Sequence, residues 1–269
     1  LVSKNSQVQR LPHSFNSRAP WPQGTDRHIF DRLDSTNLKA SELARQGARA
    51  GWVLAKEQPA GKGRRGRAWH NPPGNFAASA LLWPALEMSA LAQASFAAAL
   101  ALRDVLAMLV APPHEISLKW PNDVQVNGRK IAGILLETSQ HQGRTALIVG
   151  IGVNLVATPP AAALEPHAVA PIALADIASP IPSAPEFLDL LAPSFAHWMA
   201  VLERDGFAPI RIAWSEHAHG MGAAMTARLP DRTLEGLFLG IDQTGALLLE
   251  TATGTLALPA ADVYFDGQG

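Results

Sequence analysis

Between Gln58 and Trp69 the chain sets four cations, Lys62, Arg64, Arg65 and Arg67, among three glycines, Gly61, Gly63 and Gly66. Glycine admits positive φ and close backbone approach to a ligand, and the ammonium and guanidinium groups supply positive charge. Such a loop can become ordered around an anion such as a phosphate. Taken alone it is equally well read as a solvated basic loop or a nucleic-acid patch.

A second segment, Ile116 to Glu137, reads I-S-L-K-W-P-N-D-V-Q-V-N-G-R-K-I-A-G-I-L-L-E. Asn127-Gly128 between two apolar runs is a tight-hairpin signal, which would hold Lys119 and Lys130 on ordered backbone. The chain has few lysines and favours arginine, yet Lys62, Lys119 and Lys130 all fall inside these two segments.

Together the segments resemble the biotin protein ligases. The family's glycine-arginine loop G-R-G-R-x-G-R-x-W is similar to Gly61 through Trp69, its K-W-P-N-D is Lys119 to Asp123, and its [RK]-K-[LI]-[AC]-G-I-L is Arg129 to Leu135. Upstream, Leu33 to Asn37 resembles the Ser-Thr-Asn entry to the biotin pocket; downstream, Gly150 to Asn154 resembles the G-x-G-x-N strand end. These five ordered motifs span about residues 28 to 155. Lys62 stands where the bacterial pattern has arginine, which keeps the charge but not the bidentate fork.

The resemblance implies an ATP-dependent ligase that joins the biotin carboxylate to the α-phosphate, forming biotinyl-5′-AMP, and then passes biotin to a lysine of a biotin carboxyl carrier protein of acetyl-CoA carboxylase or a related carboxylase. Charge builds on phosphoryl and carboxylate oxygens, so cations and Mg2+ serve better than a nucleophile. By resemblance Lys130, Arg64 and Lys119 are the catalytic set. Ser35, Thr36, Asn37, Gln58, Gly61, Lys62, Gly63, Arg64, Lys130 and Gly133 would bind biotin. Arg65, Arg67, Trp69, Asn122, Asp123, Gly152 and Asn154 would bind the nucleotide; the metal ligands stay unassigned. The residues themselves leave other roles open: a helix N-cap for Ser35-Thr36-Asn37, an ion pair with Glu137 for Lys130, a structural ion pair for Lys119, turn support after Pro121 for Asn122 and Asp123, and core packing for Trp69.

The elements that must position these residues read as an α+β domain with a mixed sheet. We expect a strand from Arg27 to Leu33, a helix over about 37–46, strands at 52–57 and 75–83, an alanine-rich helix over about 89–110, the hairpin, and a strand at 145–155. A Pro/Ala-rich surface segment and two helices near 185–205 and 208–217 follow. From about Met221 apolar alternation in short runs predicts a small C-terminal β-barrel. The expected division is a flexible lead at 1–24, a catalytic domain at 25–219 and the barrel at 220–269.

Composition narrows the partners. The 269 residues carry a formal net charge of −1 and no cysteine. A near-neutral chain does not coat nucleic acid, and without cysteine there is no thiolate nucleophile, thiolate zinc site or disulfide. The histidines show no metal-ligand spacing. No signal-peptide core lies in residues 1–24, and the apolar stretch from Met88 to Leu102 is cut short by Arg103-Asp104, so no membrane contact and a cytoplasmic location are expected. Family members that double as repressors carry an N-terminal helix-turn-helix domain; no room for one precedes Ser35, so a monofunctional ligase without specific DNA binding is expected, as monomer or homodimer. The rival readings are a lipoate ligase or octanoyltransferase and a biotin-responsive regulator.

Overall fold

The computed structural model describes residues 19–164 and 169–265. The chain runs β1 (Asp26–Arg32), α1 (Thr36–Arg45), β2 (Gly51–Glu57), β3 (Phe76–Leu82), α2 (Ala94–Leu109), β4 (Ile116–Lys119), β5 (Asp123–Val126), β6 (Arg129–His141), β7 (Arg144–Val153), α3 (Ala184–Asp205) and α4 (Phe207–Ser215). Five strands follow: β8 (Ala224–Arg228), β9 (Thr233–Ile241), β10 (Leu247–Thr251), β11 (Gly254–Leu258) and β12 (Asp262–Phe265). The expected lead at 1–24 lies mostly outside the described residues.

The first seven strands form one sheet in the order β1-β2-β3-β7-β6-β5-β4; β1 and β2 are parallel and the other neighbours antiparallel, as a mixed sheet requires. Side chains alternate across a strand. One face buries Leu54, Ala78, Ala80, Val149, Ile151, Ala132 and Ile134 against α2 and α3, on which α4 packs in turn. The other buries Val53, Leu81, Ala146 and Ile148 against Ala40 and Ala44 of α1. β7 is central and covered on both faces, which accounts for its unbroken apolar run from Ala146 to Val153.

α2 is alanine-rich because it lies at the bottom of a close-packed layer, where Phe96 meets Phe207 and Trp214 edge-on. With the 3-10 turn before it, the helical stretch Met88–Leu109 matches the helix expected over about 89–110 and runs on through Arg103-Asp104, where the apolar stretch was expected to end. By length and composition it could span a bilayer, but 67% of its most apolar window is buried in the fold, which makes it a core helix. Asn127 (φ 51°) and Gly128 (φ 71°) form the expected tight turn between β5 and β6.

The last five strands form a second, antiparallel sheet in the order β11-β10-β9-β8-β12. Among the described residues no ladder joins β11 to β12. An open five-stranded sheet is therefore what is established of the expected barrel. It is keyed to the first sheet by Trp120, whose Nε1 donates to Gly245 O at 3.0 Å, and β12 reaches the face of the first sheet that carries the basic loop.

Candidate active site

Period-two alternation places Ser79, Gly133, Leu135, Glu137, Gly150 and Gly152 on the α1 face of the first sheet, in facing registers (Ser79 opposite Gly150, Gly133 opposite Gly152, Leu135 opposite Gly150). The glycines leave room above the strands. A cavity of about 300 Å³ occupies that room, bounded by the start of α1, the basic loop, the β4–β6 hairpin and Asp262 to Tyr264 of β12.

One end is lined by hydroxyls and amides. Ser35 caps α1, its hydroxyl accepting from Leu38 N at 3.4 Å, so its capping and pocket roles coexist. Gln58 Oε1 accepts from Thr36 N (2.8 Å) and lies 3.0 Å from Thr36 Oγ1. Ser79 Oγ lies 2.7 Å from Thr36 Oγ1 and 2.5 Å from Asn37 Oδ1. Asn37 Nδ2 donates to Glu137 at 2.7 Å. All of these except Glu137 are buried, and a Cβ on Gly150 would overlap Asn37.

The other end is cationic. Strict alternation from Gly133 would turn Lys130 to the opposite face of β6, but the β5–β6 register shifts between Val124 and Gln125, so Lys130 pairs with Gln125 and shares the cavity face with Asp123. This bulge re-aims the side chain. Lys130 Nζ sits 2.7 Å from Asp123 Oδ1 and 5.7 Å from the Trp69 ring. Lys119 is 6% exposed, and burial lowers its pKa to about 8; Lys130 adds to the lowering, while Asp123 and Asp262 oppose it. Burial also lowers the pKa of Arg64, with Asp262 and Asp123 opposing. Trp69 lies over Gly133 and Gly152, where a Cβ on Gly152 would collide with the indole. The Asn154 amide donates to Ile172 O at 3.2 Å, while its Oδ1 is buried with no hydrogen-bond partner among the described residues.

Of the residues singled out in the sequence, the cavity gathers Ser35, Thr36, Asn37, Gln58, Lys62, Gly63, Arg64, Arg67, Trp69, Lys119, Asn122, Asp123, Lys130, Gly133, Gly152 and Asn154. Two stand outside its wall. Gly61 is behind it, where a Cβ would meet Gln58 Nε2 at 2.5 Å and Trp69 O at 2.7 Å, so it makes space for the glutamine. Arg65, at φ 55°, turns away and pairs with Asp262 at 2.8 Å. The ion pair of Lys130 is with Asp123 rather than Glu137. Asn122 Nδ2 is engaged by Ile134 O at 2.6 Å, a structural bond beside the cavity.

Sequence reasoning missed Ser79, Glu137 as partner of Asn37, and the wall contributed by Asp262 and Tyr264. A signal for the first existed: Ser79 is the single polar residue in the β3 run F-A-A-S-A-L-L. Among the described residues no cluster of three His, Cys, Asp or Glu side chains is placed to hold a metal. Asp123 and Asp262 are the cavity's carboxylates. That fits Mg2+, which typically takes one or two protein carboxylates and completes its shell with water and substrate phosphates.

Residues 29–154 match the Biotin/lipoate A/B protein ligase family and residues 222–266 match the Biotin protein ligase C terminal domain. The chain is 48% identical over 240 residues to the biotin–[acetyl-CoA-carboxylase] ligase of Paracoccus denitrificans, covering 89% of this chain and all of that one. It is 36% identical to the bifunctional ligase/repressor BirA of Bacillus subtilis, over 87% of this chain and 72% of that protein. The fold is similar to that of the Aquifex aeolicus biotin protein ligase solved with biotin and ATP (TM-score 0.77, 23% identity, 90% of this chain and 99% of that one). With both sheets matched in sequence and in fold, this chain belongs to the biotin protein ligase family and is a ligase.

Proposed function

We propose that the protein activates biotin with ATP and transfers it to a lysine of a biotin carboxyl carrier protein. The observation that carries this reading is the division of one cavity into an amide-hydroxyl end built on Thr36 and Gln58 and a cationic end built on Lys130, Lys119 and Arg64. The first end suits a ureido ring, which offers N–H donors and a carbonyl acceptor. The second suits a carboxylate beside a phosphate.

In the first step a biotin carboxylate oxygen attacks the α-phosphorus, the bond to the β-phosphate oxygen breaks, and pyrophosphate leaves. Lys130 bridges the two anions that must meet, offsetting their repulsion and the charge that develops on the phosphoryl oxygens. Arg64 covers the same region from the loop. Asp123 would help to hold Mg2+, which would supply further charge neutralisation. In the second step the carrier amine attacks the acyl carbon, AMP leaves with the bonding electrons, and the amine gives up a proton. Lys119, with its pKa near 8, is suited to accept that proton when neutral.

Biotin is favoured over lipoate because a dithiolane has no N–H or carbonyl to match Thr36 and Gln58. The carrier is taken from the name of the Paracoccus denitrificans relative, and a cytoplasmic site of action is part of the same proposal. The test uses purified protein, ATP, Mg2+ and an apo carrier domain, with biotin, lipoate and octanoate compared. Biotin-dependent pyrophosphate release with labelling of the carrier lysine is expected; transfer of lipoate or octanoate in preference to biotin would overturn the reading.

A further inference from the structure

We infer that Glu137, an exposed residue on β6, sets the hydrogen-bond polarity of the buried ureido end through Asn37 and Ser79, and so acts as a positioning residue for biotin recognition. The inference rests on the proposed biotin site and concerns two residues to which that reading gives no role.

The protons available to these groups fix the direction of each bond. Carboxylate oxygens only accept, so Asn37 must turn Nδ2 toward Glu137 (2.7 Å) and Oδ1 toward Ser79. Oδ1 carries no proton, and two unprotonated oxygens 2.5 Å apart repel, so the Ser79 hydroxyl proton points to Asn37. With that proton committed, the 2.7 Å contact between Ser79 and Thr36 is a bond only if Thr36 donates; the other acceptor within reach of the Thr36 hydroxyl, Gln58 Oε1 at 3.0 Å, is farther away and already takes the Thr36 backbone N–H. The three donors therefore run one way: Thr36 to Ser79, Ser79 to Asn37, Asn37 to Glu137.

Two consequences reach the cavity. Thr36 Oγ1 keeps its lone pairs for an incoming N–H. Gln58 Oε1 is held by the Thr36 backbone N–H at 2.8 Å, which leaves Nε2 as the donor for a carbonyl oxygen. An acceptor beside a donor is the complement of one N–H and the C=O of a ureido ring. The fold supports the chain of bonds by spacing: Gly150, opposite both Ser79 and Leu135, is the bare position over which Asn37 lies, and any side chain there would displace it.

The experiment reverses the polarity from the surface. In Glu137→Lys the partner can only donate, so Asn37 must turn Oδ1 outward and present Nδ2 to Ser79. Ser79 then donates to Thr36 and occupies one of its lone pairs, and the Thr36 proton turns to Gln58 Oε1 or to the cavity, so the acceptor presented to biotin is weakened. Glu137→Gln keeps a carbonyl acceptor and is the conservative control; Ser79→Ala interrupts the relay from within. The readout is biotin-dependent pyrophosphate exchange, with thermal unfolding as the check on folding. We expect the KM for biotin to rise about ten-fold or more in Glu137→Lys and Ser79→Ala, with kcat at saturating biotin and the KM for ATP unchanged, and Glu137→Gln to stay near wild type. A biotin analogue with one ring N–H replaced by oxygen should be discriminated against by wild type and lose that disadvantage in Glu137→Lys. A folded Glu137→Lys with wild-type biotin KM and undiminished discrimination overturns the relay while leaving biotin ligation standing. A wild-type protein without biotin-dependent exchange overturns the biotin reading itself, and the relay with it.

Discussion

Asp262 Oδ2 lies 2.6 Å from Arg67 Nη2, and the same oxygen takes Arg65 Nη1 at 2.8 Å, so a carboxylate of the second sheet holds two of the three arginines of the basic loop. Asp262 is mostly buried, but the arginine side chains are 39% and 41% exposed. Solvent screens such pairs, so their contribution to stability is small, about 1 kcal/mol or less. Their effect is on loop order. Asp262→Ala is expected to leave the thermal midpoint nearly unchanged and to raise tryptic cleavage after Arg65 and Arg67 in the ligand-free protein. Cleavage as slow as wild type would show that the loop is ordered without Asp262.

Lys130→Gln is expected to fold normally and to lose most biotin-dependent pyrophosphate release, because an amide cannot carry the charge that offsets the meeting anions. The loss expected is about 2–4 kcal/mol of transition-state stabilisation, the size found when one preorganised electrostatic donor is removed. Near-normal release from the folded variant would remove Lys130 from the first step.

Lys119 links stability to pH. Its folded pKa, about 8, lies below the ordinary lysine value of 10.5, so between those values the unfolded chain binds more protons. The penalty for burying the ammonium is in full force below about pH 8 and is relieved as pH rises toward 10.5. Denaturant unfolding at pH 7 and pH 9.5 should show wild type gaining stability relative to Lys119→Met at the higher pH. Parallel changes in the two proteins would contradict the lowered pKa. At pH 7 about a tenth of the lysine is neutral, so carrier transfer should also accelerate with pH up to about 8.

Arg64→Gly tests the loop as a lid. Removing this half-buried guanidinium should weaken retention of the adenylate more than its synthesis, since the loop's glycines allow it to open and its other two arginines face Asp262. Labelling of lysines on a bystander such as albumin, normalised to adenylate synthesis, should rise. No rise, together with wild-type loop cleavage that ligands do not slow, would make Arg64 a static charge.

Much of this site was legible in the sequence because its parts are local. The clustering of cations and glycines in 61–67, the Asn127-Gly128 turn and the Ser35 cap each depend on near neighbours, and period-two alternation foretold the strands that carry them. What the sequence could not decide is where distant side chains meet. The slip of one residue between β5 and β6 decides that Lys130 faces the cavity beside Asp123, and a bulge has no reliable mark in an apolar run. Ser79 looks like a lone polar residue in a core strand until α1 places Thr36 and Asn37 over it. Asp262 is nearly two hundred residues from the arginines it holds. Residue types along the chain determined which charges and hydroxyls were available. Only the packing of two sheets decided which of them share a cavity, because alternation, bulges and strand order act through space and leave little trace in local pattern.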